Sequence, residues 1–302
     1  MVIQNLVFKD GVGKTPFLCY YIGGSDLMKY SPVEFKNKME KYNFNLKKIY
    51  GQNFIIDENI INNIITSSNI NKDTLVIEIG PGAGSLTYKL SEYAKNVLCY
   101  EIDTTLKELL LDNLSECKNV DIIFKDFLKA DVFSDIKKYE YKKLYVVANL
   151  PYYITTPIII KFIEEQIPVD KIVVMVQKEV GDRFKAKPNT KDYNSLSIYL
   201  NYYFDVKKIL DVSKNVFIPK PNVDSIVVEF SKKDSQYKLK DKDLFFNLVK
   251  DSFKQKRKNL RNNLKKYDLE KIEQILNKYG YNLTVRAEQL PIEIFVDIAN
   301  NL

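Results

Sequence analysis

The chain has 302 residues, with 46 Lys and Arg against 39 Asp and Glu, three Cys, no Trp and no His. Without His there is no imidazole base or metal ligand, so Ser-His-Asp and Cys-His catalysis are excluded. Cys19, Cys99 and Cys117 form no CxxC pair, which speaks against zinc and, with so few thiols, against a disulfide framework.

Residues 1–37 hold six Gly and Pro, at 11, 13, 16, 23, 24 and 32, and no sustained periodicity, so they read as an irregular extension. Gly-Val-Gly-Lys-Thr at 11–15 has the ending of a phosphate-binding loop, but Phe8 stands where that loop needs a glycine and no strand precedes it. Asp57 is placed to cap a helix running through Ile60, Ile61, Ile64 and Ile65. Strands are predicted over Thr74–Gly80, Asn96–Asp103, Val120–Asp126, Leu144–Asn149 and Lys171–Gln177, alternating with helical stretches. Alternation of this kind predicts βαβ units and a parallel sheet with helices on both faces. Two further strands, about Tyr202–Val212 and Asp224–Ser231, follow with little helix between them and read as an antiparallel edge.

After Ser231 a charged linker, Lys232–Asp243, leads to predicted helices over Leu244–Leu264, Leu269–Tyr279 and Pro291–Leu302, a small all-helical domain. Residues 231–302 carry 16 basic and 10 acidic side chains, whereas residues 1–230 are nearly balanced at 30 and 29. The basic helix Lys250–Lys266 has eight Lys and Arg against one Asp. Such asymmetry suits a polyanionic partner or a solubilising surface, and charge alone leaves both open. The longest uncharged run, Leu144–Ile160, has 17 residues and two prolines, and no cationic leader with an apolar stretch opens the chain. We therefore expect a cytoplasmic protein with no membrane span.

The chemistry gathers at strand ends. Glu78-Ile-Gly-Pro-Gly-Ala-Gly84 follows the first long strand and opens a helix, where glycines let the backbone approach a ligand. A dinucleotide turn would read GxGxxG, but Ser85 occupies its last glycine position. The turn resembles that of class I methyltransferases, whose S-adenosylmethionine carries a sulfonium cation and no pyrophosphate. Glu101 ends the next strand, 21 residues after Gly80, where a carboxylate can accept from both ribose hydroxyls, and Asp126 ends the third, where it can accept from the cofactor's adenine amine. An acidic residue at a strand end is usually a solvated loop charge, but several beside one glycine turn point to a site.

Asn149-Leu-Pro-Tyr152 ends the fourth strand. An adenine amine is a poor nucleophile because its lone pair is delocalised into the ring. The Asn149 side-chain oxygen and the Leu150 carbonyl can accept its two hydrogens and free that lone pair for in-line attack on a methyl. Pro151 stiffens the turn, and Tyr152 offers a face for stacking a flipped base. The bland reading is a Pro-bearing turn that caps a buried strand. Phe217, in Phe217-Ile-Pro-Lys-Pro-Asn-Val-Asp-Ser225, could close the other side of the base, although a lone Phe before Pro is more often core.

These pieces, with Gln52-Asn-Phe-Ile55, Glu101-Ile-Asp103, Val176-Gln-Lys-Glu179 and, near the end, Phe253–Leu264 and Arg286–Leu290, occur in order and together resemble the KsgA/RsmA small-subunit rRNA dimethyladenosine transferases. The resemblance implies a Rossmann-like class I methyltransferase sheet over residues 38–231 and a helical rRNA-binding domain over 232–302. It implies dimethylation of two adjacent adenosines in the 3′-terminal hairpin of 16S rRNA within the 30S subunit, by a monomer, with a role in ribosome biogenesis. It implies cofactor contacts at Asn53, Ile55, Gly80, Glu101, Asp126 and Asn149, target-base contacts at Asn149, Leu150, Pro151, Tyr152 and Phe217, and no metal. The stretch before Gln52 is longer than the family suggests, which makes Met28 a candidate start. An Erm-type large-subunit rRNA methyltransferase is the nearest rival, and a non-catalytic assembly factor on the same scaffold is the rival of another class. The glycine spacing disfavours a dehydrogenase.

Overall fold

The computed structural model describes residues 37–38, 40–42, 53–151 and 154–302, and the phosphate-loop-like string at 11–15, Gln52 and Tyr152 lie outside them. A short strand β1 (Phe54–Ile55) precedes helix α1 (Glu58–Ser68), which is capped as expected: the Asp57 carboxylate accepts from the backbone N–H of Asn59 at 2.9 Å and of Ile60 at 3.3 Å. Strands β2 (Thr74–Ile79), β3 (Asn96–Glu101) and β4 (Val120–Phe124) then alternate with helices α2 (Ser85–Tyr93) and α3 (Lys107–Asn113). Next come α4 (Val132–Ile136), β5 (Lys143–Asn149), α5 (Thr155–Glu164) and β6 (Lys171–Gln177). The sheet part ends with α6 (Lys178–Arg183), α7 (Ser195–Tyr203), β7 (Phe204–Val212), the short β8 (Phe217–Ile218) and β9 (Ser225–Lys232).

Seven strands form one sheet in the order β4-β3-β2-β5-β6-β9-β7. The first five are parallel, and β9 and β7 complete an antiparallel edge. Alternation within β2 places Leu75, Ile77 and Ile79 on the face covered by α5 and α7, and Val76 on the face covered by α1 and α2. Both faces are dry, which is why β2 has no exposed position. The chain winds from β2 outward to β4, then restarts on the other side of β2 with β5. Open α/β sheets bind ligands at such a reversal, outside the carboxyl ends of the two central strands.

Four helices follow: α8 (Lys242–Ser252), α9 (Leu260–Asn263), α10 (Leu269–Lys278) and α11 (Ile292–Asn301). Their apolar faces join the same buried cluster as α5 and α7. The Tyr199 hydroxyl donates to the Phe246 carbonyl at 2.9 Å, and the Tyr203 and Phe246 rings stack at 5.7 Å.

One expected helix is broken. Leu244–Leu264 is not continuous: α8 stops at Ser252 and helix resumes at Leu260. Residues 254–258 are Lys, Gln, Lys, Arg and Lys, all exposed, with no apolar group to bury. The Asn263 side chain caps the break by donating to the Ser252 carbonyl at 2.7 Å, and the Leu260 N–H is taken by the Val285 carbonyl at 2.9 Å. The cations expected on a basic helix therefore sit largely on a capped turn.

Candidate active site

The sheet reversal places two turns side by side, because β2 and β5 are hydrogen-bonded neighbours with Ile77 opposite Val146. Gly80–Gly84 leaves β2 and Leu150–Pro151 leaves β5, and the space of a Gly80 Cβ lies 4.0 Å from the Pro151 ring. Between them opens a cavity of about 200 Å³. Asn53, Ile55, Gly80, Glu101, Asp126, Asn149, Leu150 and Pro151 all line it. Six of these are the residues expected to hold cofactor, brought from four strand ends and the segment around β1.

The glycine turn is a backbone device. Gly82 has φ of +61°, and a Cβ there would come within 2.8 Å of the Phe54 ring. Both facts require glycine, one through the left-handed conformation and one through the close approach of Phe54. The Gly82 N–H donates to Glu101 Oε2 at 3.1 Å, and the Asp103 N–H donates to Oε1 at 2.8 Å. Glu101 thus holds the turn in place from the neighbouring strand. Its carboxyl is raised from the ordinary value because burial outweighs these two bonds. Asp126 accepts from the Leu128 N–H at 3.0 Å, which fixes the carboxylate in the cavity lining.

Glu78 lines the cavity from β2 at 1% exposure. Burial pushes its carboxyl up to about 8, so an added positive charge in the cavity would favour its ionised form. Among the described residues the cavity carries three carboxylates, Glu78, Glu101 and Asp126, and one cation, Lys125; Ile79, Ile102, Leu86, Leu106 and Phe127 supply an apolar wall. Glu78 was part of the glycine motif but not of the expected contact set. Its signal was legible: a lone carboxylate inside an otherwise apolar strand, Thr-Leu-Val-Ile-Glu-Ile.

The second half of the site rests on a contact that sequence reasoning missed. Asn149 Nδ2 donates to the backbone carbonyl of Asn53 at 2.8 Å. Because the amide nitrogen is held there, Oδ1 is the atom left to accept from a ligand. Asn53 precedes β1, which pairs antiparallel with β8, Ile55 opposite Phe217. The Leu150 N–H donates to the Met175 carbonyl at 3.2 Å, which fixes the peptide whose carbonyl follows.

Phe217 does not line the cavity. It is 3% exposed and packs with Ile55, Ile61 and Val147. The sequence expectation set it at one side of a base; in the fold its pairing with Ile55 turns it toward the sheet, in a core position. Tyr152, the other expected stacking group, lies outside the described residues. No cluster of three or more His, Cys, Asp or Glu suited to a metal lies among the described residues, and none of their helices is long and apolar enough to cross a membrane.

A model of the family described as ribosomal RNA adenine dimethylase matches residues 43–302. The chain is 44% identical over 278 residues to Ribosomal RNA small subunit methyltransferase A of Oceanobacillus iheyensis, covering 89% of this chain and 95% of that one. It is 44% identical over 281 residues to the protein of that name from Bacillus mycoides, covering 90% and 96%. Among solved structures, a dimethyladenosine transferase from Plasmodium falciparum is similar with a TM-score of 0.66 at 24% identity, over 81% of this chain and 95% of that one. The 23S rRNA methyltransferase ErmE is similar with a TM-score of 0.60 at 25% identity, over 82% and 99%.

Proposed function

This chain belongs to the ribosomal RNA adenine dimethylase family and is an S-adenosylmethionine-dependent rRNA adenine dimethyltransferase of the small-subunit kind, and from that premise we propose which atoms it methylates and how. The targets in this reading are the N6 amines of two adjacent adenosines in the 3′-terminal hairpin of 16S rRNA, met in the 30S subunit. The enzyme acts there as a monomer in the cytoplasm and serves ribosome biogenesis. Residues 38–231 carry the transfer and residues 232–302 hold the rRNA.

The cavity fits the donor. Its carboxylates suit a ligand with a sulfonium, an ammonium and ribose hydroxyls, and its apolar wall suits a purine. Asn53, Ile55, Gly80, Glu101, Asp126 and Asn149 hold it, and Glu78 adds negative charge from below. When bound, S-adenosylmethionine supplies an electrophilic methyl.

The target amine is prepared by the turn after β5. Asn149 Oδ1 and the Leu150 carbonyl accept its two N–H groups, which localises the lone pair and aims it. After one methyl has been added the amine keeps one hydrogen, so one of the two acceptors is enough for the second transfer. Pro151 and the Leu150–Met175 bond fix the carbonyl, and Tyr152 stacks on the base. Phe217 supports this turn from the core, bracing β1 so that the Asn53 carbonyl meets Asn149.

The observation that carries the proposal is the Asn149–Asn53 bond at the cavity wall, because it leaves an amide oxygen where an amine must be oriented. The test is mass spectrometry of 16S and 23S rRNA from cells with and without the gene. Loss of two neighbouring dimethyladenosines from the 16S 3′ hairpin is expected. An unchanged 16S pattern with a lost 23S modification overturns the proposal in favour of an Erm-type activity.

A further inference from the structure

Beside Ile158, Ile159, Phe162 and Ile163, helix α5 buries one cation, Lys161, at 8% exposure. A buried ammonium is costly unless it is paired, and an aliphatic side chain would cover the same surface without that cost. Lys161 has two partners. Its Nζ meets Glu165 Oε1, one helical turn on, at 2.5 Å, and it lies over the Phe127 ring, 5.9 Å from the centroid.

Phe127 belongs to the cofactor side of the cavity. It is buried, lines the cavity and directly follows Asp126. Its ring meets Tyr100, another lining residue, edge-on at 5.2 Å, and Phe162 of α5 at 5.3 Å. The Tyr100 hydroxyl donates to Asp135 at 3.0 Å, which fixes that ring from its far end. Phe127 thus touches both β3 and α5. A cation prefers the face of a ring, so Lys161 holds the plane of Phe127 where an apolar neighbour would let it turn.

The start of α5 is tied to the catalytic turn. The Ile154 N–H and the Thr155 hydroxyl both donate to the Pro151 carbonyl, at 3.2 and 3.3 Å, and the Ile158 N–H donates to the Ile154 carbonyl at 3.0 Å. Pro151 and Ile154 line the cavity. Lys161 stands further along the same helix, about 9 Å from Thr155 at 1.5 Å per residue. Whatever seats α5 on Phe127 therefore sets where the Leu150 carbonyl stands relative to Asp126.

We propose that Lys161 is a positioning residue for methyl transfer: through the Phe127 ring it seats α5, and with it the catalytic turn, against the turn that holds the cofactor. This rests on the roles given above to Asn149, Leu150 and Asp126, and it adds the contact that keeps the two sides of the cavity in register.

The test measures single-turnover methylation of unmethylated 30S particles at saturating S-adenosylmethionine, together with cofactor affinity and melting temperature. The variants are Lys161→Met, Lys161→Arg, Phe127→Leu and Lys161→Met/Phe127→Leu. A misplacement of about 1 Å costs about 100-fold, so a loosened seat is expected to slow transfer about 10-fold in Lys161→Met. Cofactor affinity should change far less. Lys161→Arg keeps a cation for both the ring and Glu165 and should restore most of the rate. Phe127→Leu should also slow transfer, and the double variant should be no slower than the slower single one, because the two side chains act through one contact. Losses that instead multiply to about 100-fold in the double variant overturn the shared contact. A Lys161→Met protein that melts earlier but transfers at the wild-type rate below its transition overturns the positioning role and leaves the proposed chemistry intact. So does a Lys161→Arg protein with the wild-type melting temperature and the rate of Lys161→Met. A wild type that adds no methyl to 16S rRNA in these particles overturns the functional reading itself.

Discussion

The two halves of the cavity are built in different ways. The glycine-turn half comes from β2, β3 and the start of the segment after β4, adjacent parallel strands within about fifty residues of chain. Its key contact, Gly82 N–H to Glu101, is between neighbouring strand ends. The catalytic half depends on Asn149 meeting a carbonyl 96 residues earlier. That carbonyl is positioned by a two-residue strand paired with another two-residue strand more than 160 residues later. A half built on a long parallel ladder tolerates local damage, whereas one hung on two short strands needs its bracing side chains.

Removing the brace is the strongest way to separate the halves. Phe217→Ala empties a fully packed position beneath β1, and such truncations cost about 3–5 kcal/mol of stability. Below the unfolding transition, kcat for methylation should fall more than S-adenosylmethionine affinity, and Phe217→Leu should restore most of both. If Phe217 instead stacks on the base, Leu fails to restore kcat although it restores the melting temperature.

Asn149→Ala acts on the catalytic half without disturbing the core. Loss of one pre-aimed acceptor costs roughly 10²–10³ in kcat. Rapid-quench measurement with saturating cofactor checks this, and full-rate methylation would overturn the mechanism. Because Asn149 also lines the cofactor side, a few-fold weaker cofactor binding is expected alongside.

In the other half, Gly82→Ala forces an L residue into a left-handed conformation, about 1–2 kcal/mol, and drives a Cβ against Phe54. Cofactor affinity should drop, as read by calorimetry. Gly280 is the control: it has φ of +76° with nothing within 4 Å of the Cβ position. Gly280→Ala should cost the backbone term alone and leave cofactor binding untouched.

The difference between the halves is also a difference in legibility. Strands β2 to β6 were readable because β-branched runs between helical stretches have few other solutions, and the glycine turn and its carboxylates follow at their ends. The Asn149–Asn53 bond was not, because no local pattern reports which distant carbonyl an amide will meet. Phe217 stayed ambiguous for a similar reason: a Phe before Ile-Pro reads as a lid or as core until its strand partner is known. The break at 253–259 was hidden because Leu244 and Leu248 share one helical face and Phe253, Leu260 and Leu264 share another, so each side of the break keeps helical spacing. What ends the helix is a carbonyl from residue 285 and a side-chain cap from Asn263.

The last contrast is in charge. The glycine-turn half contains Glu78, whose carboxyl burial lifts to about 8 from an ordinary 4.5. A folded state that holds a proton more tightly than the unfolded chain has its extra stability in full below the unfolded value. It then loses that stability as pH rises through the window from about 4.5 to about 8. One proton gives a slope of at most about 1.4 kcal/mol per pH unit. Melting temperatures of the wild type should therefore fall between pH 6 and 8 more steeply than those of Glu78→Gln, which keeps the shape and has no proton to lose. Saturating S-adenosylmethionine should flatten the wild-type curve, because its positive charge favours the ionised carboxyl and offsets the burial. Among the described residues the Asn149 half has no buried carboxyl of this kind, so Asn149→Ala should keep the wild-type pH slope. A slope that survives in Glu78→Gln would place the titrating group elsewhere.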